Sequence, residues 1–212
     1  MTIIAVFGAT GYSGENLVTE ALSRGHRVIA VARNTAPLDG RSDLDVRTGS
    51  LFDERFLREI ADAADVLVVA LQAHGTGLAD YIPTLGRIAT EYAIRIGFVG
   101  GAGNLRVSPD GPRALDTPLF PEEYRQDGIA HAEVMTRLPA LPEDVDWFSL
   151  CPPAQYGSHS PGERTGTFRV GEDVLLVSAD GSSYIGGADY AIAFLDEIDK
   201  PTHHRNLFTV AY

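Results

Sequence analysis

The sequence predicts an α/β protein built on a doubly wound parallel sheet, and three observations carry that prediction. Short apolar runs alternate with segments of helical periodicity along the 212 residues, the pattern of successive βα units that lay their strands side by side. The first run, Ile3-Ile4-Ala5-Val6-Phe7, is apolar without alternation, as a strand covered on both faces must be. Three glycines, Gly8, Gly11 and Gly14, follow at G-x-x-G-x-x-G spacing and lead into a helical segment from Asn16.

Strand, glycine turn and helix in that order form the phosphate-binding unit of a Rossmann-type dinucleotide fold. Gly8 serves the tight turn, Gly11 the close approach of backbone to pyrophosphate, and Gly14 the packing of helix on strand. The phosphates meet free N–H groups and the positive dipole end of the first helix, so Thr10, Tyr12 and Ser13 join the glycines as expected cofactor-binding residues. Gly8-Ala9-Thr10-Gly11-Tyr12-Ser13-Gly14 closely resembles the G-A-T-G-x-x-G signature of the atypical, NAD(P)-binding NmrA-like branch of the short-chain dehydrogenase superfamily.

Length suits a single domain over residues 1–212 with some elaboration. No apolar run approaches the roughly 20 residues needed to cross a bilayer. The N-terminus has no basic region of the kind a signal peptide needs, and Cys151, the one cysteine, has no internal disulfide partner, so the cytoplasm is expected. A formal net charge of −12 argues against nucleic acid or an anionic membrane as partner. The expected partner is a small-molecule acceptor, with a homodimer as the possible assembly and no metal. A dinucleotide is itself an anion, so basic residues near its site carry extra weight. They are lopsided: sixteen arginines and one lysine, Lys200.

Leu17, Val18, Ala21 and Leu22 fall at helical spacing over Asn16 to Ser23, and Gly25 stops the helix. Val28 to Ala32 is a second buried strand. At the end of this strand an acid would bind free ribose hydroxyls, whereas an arginine suits a 2′-phosphate. Arg33 stands there without a neighbouring acid, which favours NADP(H) over NAD(H); the alternative is a solvated loop arginine. Asp43 to Arg47 is a short third strand. Asp53 is placed to cap the helix through Phe56, Leu57 and Ile60. Asp65 to Leu71 is a fourth strand, and its continuation through Gln72 runs over the cofactor from the carboxyl end of the sheet, which brings in Ala70, Leu71 and Gln72. His74 in this loop reads more readily as a surface residue than as a catalyst. Leu78 to Tyr92 is a long helix and Ile94 to Gly100 a fifth strand. Arg106 to Asp127, with four prolines, is an irregular substrate-side loop, followed by a helix over Gly128 to Leu138. Asp146 to Leu150 is a sixth strand. Thr165 to Val170 and Val174 to Ser178 read as a hairpin joined at Gly171-Glu172-Asp173, so that about 155–186 forms a small C-terminal elaboration walling the substrate side. Tyr190 to Ile198 is a helix and Leu207 to Tyr212 a final strand.

The resemblance implies further roles. Gly49-Ser50-Leu51-Phe52-Asp53 is similar to the family's Gly-Asp-hydrophobic-x-Asp segment, which sets Leu51 and Phe52 beside the adenine, although Ser50 stands where an aspartate is usual. Gly100 and Gly101 would lie beside the nicotinamide, with no serine there to polarise a carbonyl. Pro152 and Pro153 match the proline turn that closes over the ring. His131 and Glu133 match a His-x-Glu pattern in which the histidine faces the cleft, leaving His131 as catalytic candidate with a structural role as the alternative.

The common short-chain dehydrogenases pair a tyrosine acid with a lysine four residues later. Four residues before Lys200 lies Asp196, so that pair is absent. An acceptor such as FMN, FAD or a quinone takes a hydride directly, and the resemblance extends to NADH- and NADPH-flavin reductase-like proteins and biliverdin-IXβ/flavin reductase. An NAD(P)H-dependent reductase is therefore the first reading. The second is a non-catalytic NADP(H)-binding redox sensor of NmrA type. The third is an epimerase- or dehydratase-like protein, a class that keeps the missing pair.

Overall fold

Ala5 and Phe7 of β1 (Ile3–Phe7) enter one core while Ile4 and Val6 enter another, because successive strand side chains point to opposite faces. The same sorting runs through β2 (Arg27–Ala32), β3 (Asp45–Thr48), β4 (Val66–Val69), β5 (Arg95–Val99) and β6 (Trp147–Cys151). A three-residue strand, β7 (Arg169–Gly171), and a last strand, β8 (Asn206–Ala211), complete the sheet. The computed structural model describes residues 1–118 and 120–212. Its eight strands lie in the order β3-β2-β1-β4-β5-β6-β8-β7, all parallel except β7. Chain reversal between β1→β2→β3 and β1→β4→β5 creates the switch point at which open α/β sheets bind ligands.

Five helices cover the two faces. Leu57 and Ile60 of α2 (Glu54–Ala63), Ile82, Leu85 and Ile88 of α3 (Leu78–Tyr92) and Val134 of α4 (Arg125–Arg137) fill one core. On the other face, Leu17, Val18 and Ala21 of α1 (Tyr12–Ser23) pack with Tyr190, Phe194 and Leu195 of α5 (Gly187–Asp199). No helix among the described residues is long and apolar enough to cross a membrane.

The elements follow expectation with two instructive departures. Helix α1 begins at Tyr12 rather than Asn16, because its first turn carries no core-facing aliphatic side chain and so shows no periodicity. The expected hairpin is absent. Val174 instead forms a parallel bridge with Arg106, whose N–H and carbonyl bond Asp173 and Leu175 at 2.7 and 2.8 Å. β7 pairs antiparallel with β8, Val170 opposite Val210. Alternation marks a strand but does not name its partner. Leu119, inside the expected substrate-side loop, lies outside the described residues.

At the amino edge of the sheet, Arg95 bonds Asp146 at 2.8 Å, Glu197 at 2.6 Å, and the carbonyls of Glu197 and His203. Burial pushes the Glu197 carboxyl up, but donors from Arg95, His203 and Thr202 outweigh it and hold it at about 2. Arg205 spans four carbonyls, of Pro139, Leu141, Pro142 and Val145.

Candidate functional site at the carboxyl edge

Between β1 and α1 the chain turns at Gly8, whose φ is +88°; a Cβ there would lie 2.2 Å from the Ala70 carbonyl oxygen. A Cβ on Gly14 would lie 2.0 Å from the Gly8 oxygen, so α1 can approach β1 this closely only with glycine there. Gly11 differs. It is the N-cap of α1 with an ordinary φ of −85°, and its nearest obstacle, the Gly8 oxygen, is 3.4 Å away. The chain itself therefore requires glycine at 8 and 14, whereas at 11 a Cβ would make only an ordinary contact. No side chain caps the helix at Gly11, so the first-turn N–H groups of Tyr12, Ser13 and Gly14 have no cap to satisfy them. Thr10 is exposed beside them.

Arg33 is exposed just beyond β2. Fourteen of the sixteen arginines hold a side-chain hydrogen bond or ion pair among the described residues. Arg33 and Arg27 are the two that do not, and Arg27 opens β2 at the opposite edge. After β3, Leu51 is buried and Phe52 half-buried, edge-to-face with Tyr81 at 5.3 Å. Ser50, in place of the expected aspartate, accepts from the Phe52 N–H at 3.2 Å. Asp53 caps α2 through the Phe56 N–H at 3.2 Å, as its spacing predicts.

Ala70, Leu71 and Gln72 leave β4 directly below the glycine turn, the Ala70 N–H held by Phe7 at 2.9 Å. Gly100 continues β5 through a 2.8 Å bond to Leu150, and a Cβ on Gly101 would meet the His131 ring at 3.2 Å. The structure thus brings His131 against the end of β5, its side chain 13% exposed. Burial pushes its imidazole down and the Asp127 carboxylate, 3.9 Å away, opposes only partly. Pro152 and Pro153 are buried beyond β6. Burial pushes the Cys151 thiol up to about 12, which leaves it inert.

All of the expected cofactor-binding residues therefore collect along one edge of the sheet. His74 is exposed, its N–H on Asp127 at 3.3 Å, in the wall of a cavity of about 190 Å³ between α3 and α4. Sequence reasoning missed two polar residues here. Asn104, 6% exposed and without a side-chain partner, follows the Gly101 turn, where only a hydroxyl was sought. Tyr156 bonds Ser13 from a loop whose course nothing local predicts.

Comparison with known proteins agrees with this geometry. A family model described as NAD(P)H-binding matches residues 8–178. The YwnB protein of Bacillus subtilis (strain 168) is 34% identical over 213 residues, covering 98% of this chain and 97% of its own. A Bacteroides thetaiotaomicron structure, provisionally assigned as an epimerase, superposes with a TM-score of 0.90 at 30% identity, covering 100% of this chain and 97% of that one. A Streptococcus pneumoniae TIGR4 structure, provisionally assigned as an NADH-flavin reductase, gives 0.80 at 27% identity over 100% and 99%.

Proposed function

The chain belongs to the NAD(P)H-binding family, on the atypical NmrA-like branch of the short-chain dehydrogenases, and on that premise we propose that it is an NADPH-dependent reductase acting on a flavin- or quinone-like acceptor. The residues fit a nicotinamide dinucleotide: two glycines enforced by the fold, one left open toward a ligand, and an unpartnered arginine beyond β2. When bound, NADPH supplies the hydride. The N–H groups of Tyr12, Ser13 and Gly14 hold the pyrophosphate. Arg33 holds the 2′-phosphate. Leu51 and Phe52 flank the adenine, while Pro152 and Pro153 keep water from the ring.

One observation supports the acceptor class: among the described residues beyond β5 and β6, no side chain is well placed to donate a proton. His131 packs against Gly101, and burial pushes its imidazole down, away from the charged, proton-donating form. Burial pushes the phenols of Tyr156 and Tyr190 up, and they donate to Ser13 Oγ and the Leu150 carbonyl. Lys200 closes α5 at the far edge. An acceptor that takes a hydride and draws its proton from water needs none of these groups. The reductase assignment of the pneumococcal relative supports this reading. The epimerase assignment of the Bacteroides relative points to chemistry for which this chain lacks the tyrosine–lysine pair. A cytoplasmic location suits a fold with one buried thiol.

Steady-state oxidation of NADPH with FMN, FAD and simple quinones tests the proposal; turnover with at least one is the expected result. The missing proton donor also favours a second reading, an NADP(H)-binding redox sensor. Tight NADP(H) binding by calorimetry without any turnover would establish it in place of the first.

A further inference from the structure

After β6 the chain turns back over the first turn of α1. Tyr156 donates its hydroxyl to Ser13 Oγ at 2.9 Å, and its ring meets Tyr12 edge-to-face at 5.4 Å and Tyr190 at 4.6 Å. The Tyr12 hydroxyl accepts from the Gly187 N–H at 2.9 Å and donates to the Pro161 carbonyl at 3.2 Å. Tyr12's proton is thus engaged within the protein. Ser13's is not. A serine hydroxyl has one proton and two lone pairs, and here Tyr156 occupies one lone pair while the proton has no partner among the described residues. Ser13 stands in the uncapped first turn of α1, where N–H groups and helix dipole favour an anion.

We propose that Tyr156 is a positioning residue for the dinucleotide: by donating to the Ser13 oxygen it turns the serine proton outward, onto a pyrophosphate oxygen. The inference rests on the cofactor reading given above. A phenol–serine–phosphate chain of this kind polarises each link in turn, so its last bond is stronger than an isolated serine contact. It also ties the loop after β6 to the nucleotide, which makes cofactor affinity sensitive to a residue that never touches it.

The test is a set of calorimetric titrations of the wild type, Tyr156→Phe, Ser13→Ala and the double variant. Each is titrated with NADP⁺ and with adenosine 2′-monophosphate, which carries the phosphate expected at Arg33 but no pyrophosphate. Phenylalanine keeps the ring packing on Tyr12 and Tyr190 and removes only the donor. Tyr156→Phe is expected to weaken NADP⁺ about three- to tenfold, the size of one hydrogen bond. It should leave adenosine 2′-monophosphate unchanged and add nothing to Ser13→Ala. Ser13→Thr, which restores the hydroxyl, should recover the sensitivity to Tyr156→Phe. If wild type binds NADP⁺ but Tyr156→Phe binds it equally well, or the two losses multiply, or both ligands weaken alike, the positioning role is overturned while the cofactor reading stands. If wild type binds no NADP⁺, both fall.

Discussion

At the amino ends of the strands Arg95 meets two carboxylates and two carbonyls, and Arg205 spans four carbonyls. At the carboxyl ends Arg33 meets nothing and α1 starts without a side-chain cap. Even Arg27, the other arginine without a hydrogen bond, works on a neighbour: Arg47, and more weakly Arg27, hold the Asp45 carboxyl below its ordinary range. One edge ties its arginines into the protein, and the other leaves Arg33 and the first turn of α1 without side-chain partners among the described residues. Free N–H groups and an exposed guanidinium on the edge that carries the glycine turn suit an anionic ligand there, as proposed above.

The sharpest way to break this contrast is to exchange its consequences. Arg95→Ala strands the buried Glu197, 1% exposed, and should cost about 3–5 kcal/mol in chemical denaturation. The ratio of NADPH to NADH affinity should not move; a shift in that ratio would mean that the two edges are coupled. The same pair sets the acid response. Because the Glu197 carboxyl is held below its ordinary 4.5, its contribution to stability is intact above that pH and disappears as pH falls toward about 2, which acid titration of the unfolding midpoint measures.

The glycine turn divides the same way. Gly14→Ala drives a methyl into the Gly8 carbonyl and should lower stability by about 1–3 kcal/mol. Gly11→Ala, whose methyl would make only an ordinary 3.4 Å contact with the Gly8 oxygen, should leave the unfolding midpoint nearly unchanged while NADP(H) affinity drops at least tenfold, by about the loss of one charge-assisted contact. An equal loss of stability from both would remove the distinction between glycines required by the fold and by the ligand. Arg33→Asp should weaken NADPH binding about ten- to a hundredfold and NADH binding far less, read by fluorescence titration. The smallest effect separates two helices that begin at the same edge. Asp53→Ala removes the cap of α2 and should cost about 1 kcal/mol of stability with cofactor binding intact.

Much of this was legible in the sequence, for reasons that vary by residue. The run Ile3–Phe7 and the glycines after it announce their structure because a doubly buried strand and a tight turn tolerate few alternatives. The place of Arg33, exposed just beyond β2, was readable from the end of one apolar run. The partner of Val170 was not, since an alternating segment pairs with whichever edge the remaining chain presents, here β8. Nor was Tyr156, whose bond to Ser13 spans 143 residues and rests on the path of an irregular loop. The first turn of α1 escaped periodicity because it carries no aliphatic side chain that enters the core.

The shortage of lysine has a practical corollary. Lys200 supplies the chain's single ε-amino group, exposed where α5 ends, on the side of the sheet away from the glycine turn. A surface that reacts with the lysine amine would hold the molecule by that rim, leaving the edge with the glycine turn facing outward.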